Sequence, residues 1–85
     1  MIFLSLFTTT HTMQAEARAR AMGLQVTLMP TPRKVGGSCS LSLRFGGADP
    51  EADGQAFFTA MDVPCALYRL EGETLACLAK REPGT

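Results

Sequence analysis

The chain lacks a surplus of charge of either sign: it has 8 Lys and Arg against 8 Asp and Glu. Nucleic-acid binding needs cations concentrated on one face, so this balance argues against such a partner. Long apolar runs are lacking too, and none approaches the ~20 residues of a membrane span. The apolar stretch Ile2–Phe7 is short and has no Lys or Arg before it, so it reads as a strand rather than a leader. Cysteine is scarce and odd in number, at positions 39, 65 and 77, with no C-x-x-C spacing. That is no disulfide framework, and it fits a reducing compartment such as the cytoplasm.

Catalytic patterns are missing as well. There is no Ser-His-Asp arrangement, no H-E-x-x-H run and no pair of carboxylates placed for acid–base work. Glu51 and Asp53 belong to a helix start, and Glu71 and Glu73 flank a turn. Gly36-Gly37-Ser38 lacks P-loop spacing and does not lie between a strand and a helix. A zinc site built from Cys39, Cys65, Cys77 and His11 would have no paired ligand spacing. No metal and no cofactor is expected. Internal repeats and low-complexity segments are absent.

What is present is a globular composition, 46% hydrophobic and 19% charged, in 85 residues. That length allows one small domain with a folded surface of about 4,900 Å². It excludes a large multi-step enzyme and argues against a deep substrate cage.

Ile2–Phe7 is apolar at both parities, as in a central strand. Thr8, Thr9 and Thr10 offer an N-cap, and the composition from His11 to Met22 predicts a helix. Its expected apolar stripe is Met13, Ala17 and Ala21, with Ala15, Ala19 and Met22 beside it. Gly23 stands where a left-handed cap would. Gln25–Met29 reads as a strand stopped by Pro30-Thr31-Pro32. A loop from Arg33 to Ser38 leads into Cys39–Phe45, whose alternation predicts a strand with one wet face. Asp49-Pro50-Glu51 starts a second helix running to about Met61. Cys65–Leu70 reads as a further strand. Residues 1–70 are expected to form the domain. Residues 71–85 read as a C-terminal extension, a short strand near Leu75–Leu78 or a loose tail.

The order β-α-β-β-α-β predicts an α+β, ferredoxin-like sandwich: four main antiparallel strands with two helices on one face. That topology brings the end of the first strand, the amino end of the first helix and the loop Pro30–Cys39 to one end of the sheet. By parity Cys39 would point to the helix layer, near that amino end. The partial positive charge there favours a thiolate, and Arg33 and Lys34 would add to it. Two readings of Cys39 are open, a reactive thiol and a small hydrophobe at the core rim. His11 could orient or protonate a sulfur leaving group, or simply be a solvated first-turn residue. Arg33 could clamp an anion, or be solvated. Cys65 and Cys77 read as packing or incidentally exposed residues.

Thr9-Thr10-His11, Ala15-Glu16, Met29-Pro30-Thr31-Pro32-Arg33 and Ser38-Cys39 leading into Leu41-Ser42-Leu43-Arg44-Phe45 resemble a small bacterial family of selenium/sulfur carrier-like proteins. The resemblance covers roughly residues 2 to 70. It implies a carrier rather than a turnover enzyme, with a persulfide or selenopersulfide held on Cys39 and no cofactor. Arg33 matches the arginine of the family's P-T-P-R segment, and His11 matches its helix-start position. Thr10 and Lys34 would help to stabilise the anion. Its partners would be a sulfur or selenium donor resembling a cysteine desulfurase, and an acceptor protein. Ser40 departs from the pattern, standing where the family has glycine.

A second expectation is a protein-binding or regulatory module. Phe3, Phe7 and Tyr68 would then lie on the sheet face without helices and favour a homodimer or another partner. A third, a thiol redox enzyme, would require a Cys39–Cys65 disulfide.

Overall fold

Thr8 begins the first turn of helix: its hydroxyl accepts from the His11 amide at 3.0 Å, which satisfies one orphan donor. In this computed structural model, which describes residues 1–36 and 40–82, the order is β1 (Ile2–Leu6), α1 (Thr9–Ala21), β2 (Val26–Pro30), β3 (Leu41–Phe45), α2 (Pro50–Ala60), β4 (Cys65–Glu71) and β5 (Thr74–Arg81). A short 3₁₀ turn, Arg33–Val35, lies between β2 and β3. The total surface of 4949 Å² is that expected for a folded chain of this mass.

The fold is α+β, with five antiparallel strands in the order β2-β3-β1-β4-β5 and two helices. β1 is central, as its apolar parities predict: Leu4 lies between Leu43 of β3 and Leu67 of β4. The even side of β1 (Ile2, Leu4 and Leu6) packs with Ala15 and Ala19 of α1 and with Phe57 and Met61, from α2 and the residue after it. Both helices therefore share one core. Phe45 and Phe57 meet at 5.9 Å between ring centroids, tilted by 56°.

The helix ends follow local chemistry. α1 closes in a Schellman arrangement, with Leu24 N–H to Ala19 O and Gly23 N–H to Arg20 O, both at 3.0 Å. Gly23 has φ +81°, which a side chain would resist. α2 opens on Asp49, whose carboxylate accepts from the Ala52 amide at 3.2 Å, with Pro50 in the first helical position. Gly54 lets α2 approach the sheet: a Cβ there would stand 3.0 Å from Leu67 and 3.1 Å from Ile2.

Several expectations are corrected. The buried stripe of α1 is Thr12, Ala15 and Ala19, whereas Met13 is 55% exposed. Helical spacing fits either stripe. The observed one lays two alanines on the sheet and lets Thr12 donate its hydroxyl to Thr8 O at 3.0 Å. β3 starts at Leu41 rather than Cys39, and Cys39 itself lies outside the described residues. Of the two alternatives for the segment after residue 71, the strand is the one present, and it is longer than Leu75–Leu78. β5 has eight residues and joins β4 by a two-residue turn with Gly72 at φ +59°.

The face without helices is also not open. Phe3 has no exposed surface and stacks on Tyr68 at 5.5 Å, and Ser42 is likewise fully buried. The described segment of residues 31–36 reaches this side. Val35 shares a cavity wall with Ala66 and Tyr68, and the Lys34 ammonium donates to Glu73 O in the β4–β5 turn. Of the three aromatic residues expected to form a docking face, only Phe7 is strongly exposed.

Candidate functional site

The first turn of α1 meets the start of β3. Thr12 Oγ1, already donating to Thr8 O, lies 3.5 Å from Leu41 O. Thr8, Thr10 and His11 therefore stand at the sheet end that receives the β2–β3 connection. Thr8 and Thr10 are exposed, and His11 is half-buried. No acidic residue occupies the first turn of α1, so its free amides keep their positive field.

The root of the connection is closed by Thr31 N–H to Ser40 O at 2.9 Å and by the Thr31 and Ser42 hydroxyls at 2.7 Å. Among the described residues no non-glycine has positive φ. Ser40, where the family pattern has glycine, thus uses a backbone conformation open to any residue. Cys39, one residue earlier, is outside the described residues.

Of the two cations of the connection, Lys34 reaches away from the helix start. Arg33 is exposed in the 3₁₀ turn, and Lys34 reaches the β4–β5 turn. That turn lies beyond Glu71. The opposite end of β4, Cys65, pairs with Leu6 just before α1.

Between the connection and the sheet lies a cavity of about 610 Å³. Val35 and Gly36 wall one side, Ser5, Ala66 and Tyr68 the other, and Thr8 lies at the α1 end. Cys65 and Arg81 also border it. A cavity of this size was not expected of so short a chain. Its wall on the side of the connection comes from Val35 and Gly36, at the end of the described segment of residues 31–36.

Cys65 is 3% exposed, with Arg81 Nη1 at 3.9 Å from its sulfur. Burial pushes the thiol's pKa up, and the Arg81 charge and hydrogen bond only partly oppose this. The sulfur of Cys65 is therefore kept as a thiol at neutral pH, a poor nucleophile. Cys77 is exposed, and its Sγ lies 3.6 Å from Ala79 O. Among the described residues no three His, Cys, Asp or Glu side chains gather as a metal site would require. Nor is any helix among them long and apolar enough to cross a membrane.

The cavity and the Cys65–Arg81 contact are what sequence reasoning missed. The signal was present in Lys80-Arg81, but it carries meaning only once β5 is paired with β4.

A family model described as "Putative Se/S carrier protein-like" matches residues 2–67. The chain belongs to this Se/S carrier-like family. The matched span runs from the first residue of β1 into β4 and includes the Pro30–Arg33 segment, Cys39 and His11. No curated protein and no solved structure matches the chain.

Proposed function

We propose that this Se/S carrier-like chain carries sulfur or selenium as a persulfide or selenopersulfide on Cys39. The observation that carries the reading is the family match across residues 2–67, which spans Cys39 and the Pro30-Thr31-Pro32-Arg33 segment. We read β1 to β4 with both helices as a ferredoxin-like unit, with β5 as an added edge strand. The reaction is a transfer between thiols. The Cys39 thiolate attacks the terminal sulfur of a donor persulfide, the new S–S bond forms, and the donor cysteine leaves as a thiolate. An acceptor nucleophile then attacks the same terminal sulfur, and the Cys39 thiolate leaves. The carrier is neither oxidised nor reduced over the cycle, so it needs no cofactor and acts as a carrier rather than a turnover enzyme.

The amino end of α1, with Thr10 and His11, supports the anion through its uncompensated amides. Arg33 and Lys34 present positive charge to the donor, a protein resembling a cysteine desulfurase, or to the acceptor. A reducing cytoplasm keeps the thiols free. The high pKa of Cys65 favours Cys39 over it as the loaded residue.

The test is incubation of the reduced protein with a cysteine desulfurase and cysteine, followed by intact and peptide mass measurement. The expected result is a gain of one sulfur atom on the peptide holding Cys39, absent in Cys39→Ser. Equal labelling of all three cysteines, or none, would refute specific loading.

A further inference from the structure

We propose that Thr31 is a positioning residue for Cys39: its hydroxyl, bonded to the buried Ser42, clasps the root of the β2–β3 connection and fixes the chain from which the carrier thiol is presented. The proposal rests on the carrier reading of Cys39 and adds to it a residue outside the reacting groups.

Local sequence prepares Thr31 for this place. It lies between Pro30 and Pro32. A proline restricts the residue before it to extended backbone. Pro32 is itself extended, at φ −60° and ψ 143°. Thr31 therefore continues the line of β2 by one residue, and its N–H donates to Ser40 O at 2.9 Å. That bond carries the β2–β3 register one step past Pro30↔Leu41.

The last bond of a ladder frays readily when only backbone holds it. Here a side-chain bond stands behind it, because the Thr31 and Ser42 hydroxyls meet at 2.7 Å. Ser42 has no exposed surface, whereas Thr31 is half-buried. A hydroxyl shut away from water needs a protein partner, and Thr31 supplies one. The bond joins the strand the chain leaves to the strand it enters. Cys39 directly precedes Ser40, whose carbonyl is the acceptor from Thr31. The clasp thus acts on the backbone one residue from the carrier cysteine. Sulfur transfer needs the attacking, transferred and leaving sulfurs in line, and a misplacement of about 1 Å can cost up to ~100-fold.

Thr31→Val keeps the side-chain shape and removes the hydroxyl, whereas Thr31→Ser keeps a hydroxyl. Arg33 and Lys34 are exposed within the connection, so native-state trypsin cleavage after either reads the clasp without any donor protein. Cleavage should run about tenfold faster in Thr31→Val, the effect of losing one hydrogen bond whose buried partner is left unmet. Thr31→Ser should return it to the wild-type rate. Cys39, Cys65 and Cys77 fall in three different tryptic peptides, so sulfur uptake at each can be read separately. Initial uptake on the Cys39 peptide, from a cysteine desulfurase and cysteine, should fall about tenfold in Thr31→Val and recover in Thr31→Ser. Combining Thr31→Val with Ser42→Ala separates positioning from stability. It removes the unmet hydroxyl, so the urea midpoint should recover while uptake stays slow. Ser42→Ala alone should also slow uptake, and it stands in if Thr31→Val fails to fold. Unchanged cleavage in Thr31→Val, unchanged uptake despite faster cleavage, or uptake that recovers with the midpoint in the double variant would each overturn the proposal. A wild type that takes up no sulfur would defeat the carrier reading and the positioning role with it, and the cleavage rates would still decide the clasp.

Discussion

Cys65 shows how one side chain's surroundings decide what its chemistry can be. Its sulfur is buried beside Leu6, and the adjacent Arg81 opposes the cost of burial only in part. The native chain therefore holds this proton at a pH where the unfolded chain has released it. Stability linked to Cys65 is complete below the ordinary thiol pKa of about 8.5 and is lost as pH rises through the higher folded value. The stability difference between the wild type and Cys65→Ala should shrink from about pH 7 to about pH 10, across that thiol range. Urea denaturation of both proteins over this range checks it, and a constant difference would show that burial does not shift the thiol. Ser42 teaches a related lesson. A serine with no exposed surface is tolerated because its hydroxyl meets that of Thr31 at 2.7 Å.

Among the elements, the end of α2 depends on arginines from two others. Arg18 of α1 donates to Ala60 O at 3.2 Å. Arg81 of β5 donates to Phe58 O at 3.4 Å and places its guanidinium carbon 4.4 Å from the centroid of the Phe58 ring. Carbonyls in the last turn of a helix lack the i+4 donor; Phe58 O takes a shared bond from the Met61 amide at 3.3 Å, and the two arginines add donors there and at Ala60 O. Arg81→Met should cost about 1–3 kcal/mol, from a charge-assisted hydrogen bond and a cation–π contact. It should also raise the Cys65 pKa further, because Arg81 is what lowers it. A denaturant midpoint and the pH dependence of Cys65 alkylation would measure the two effects separately.

The same scale shows why some elements were legible and others were not. Asp49-Pro50-Glu51 announces α2 because an N-cap acceptor and a proline at the first helical position are local devices. β1 is legible because it is apolar at both parities, as a strand buried on both faces is. β3 is legible because its apolar residues alternate in sequence, although Ser42 on the other parity is buried as well. β5 is obscured because Leu75, Ala76, Leu78 and Ala79 are all half-buried, with a register shift at Leu67/Tyr68 that breaks the period of two. The stripe of α1 was misplaced because small and medium residues fall on both candidate faces, and only packing chooses between them. Of the candidate site, the meeting of α1 with the start of β3 follows from topology. The placing of Val35 and Gly36 beside Ala66 and Tyr68, and the reach of Lys34 to Glu73, are long-range contacts that no local pattern encodes.

For the molecule as a whole, the question is whether β5 is an ornament or a wall. The family match ends at residue 67, inside β4, yet the sheet continues through Arg81. β5 pairs with β4 from Cys65↔Arg81 to Glu71↔Thr74, so it covers an entire edge of the sheet. It also supplies Lys80 and Arg81 to the cavity and ties α2 through Phe58 O. A chain ending at Glu71 would keep β1 to β4 and both helices. It would lose one cavity wall and the second arginine at the end of α2, and would leave the β4 edge unpaired. Three changes are expected together: a lower denaturant midpoint, faster alkylation of Cys65, and a concentration-dependent increase in apparent size by gel filtration as open edges meet. If the shortened chain kept the full-length midpoint and stayed the size of a monomer, residues 72–85 would be an appendage. In the arrangement seen here, β5 instead closes the sheet that holds Cys65.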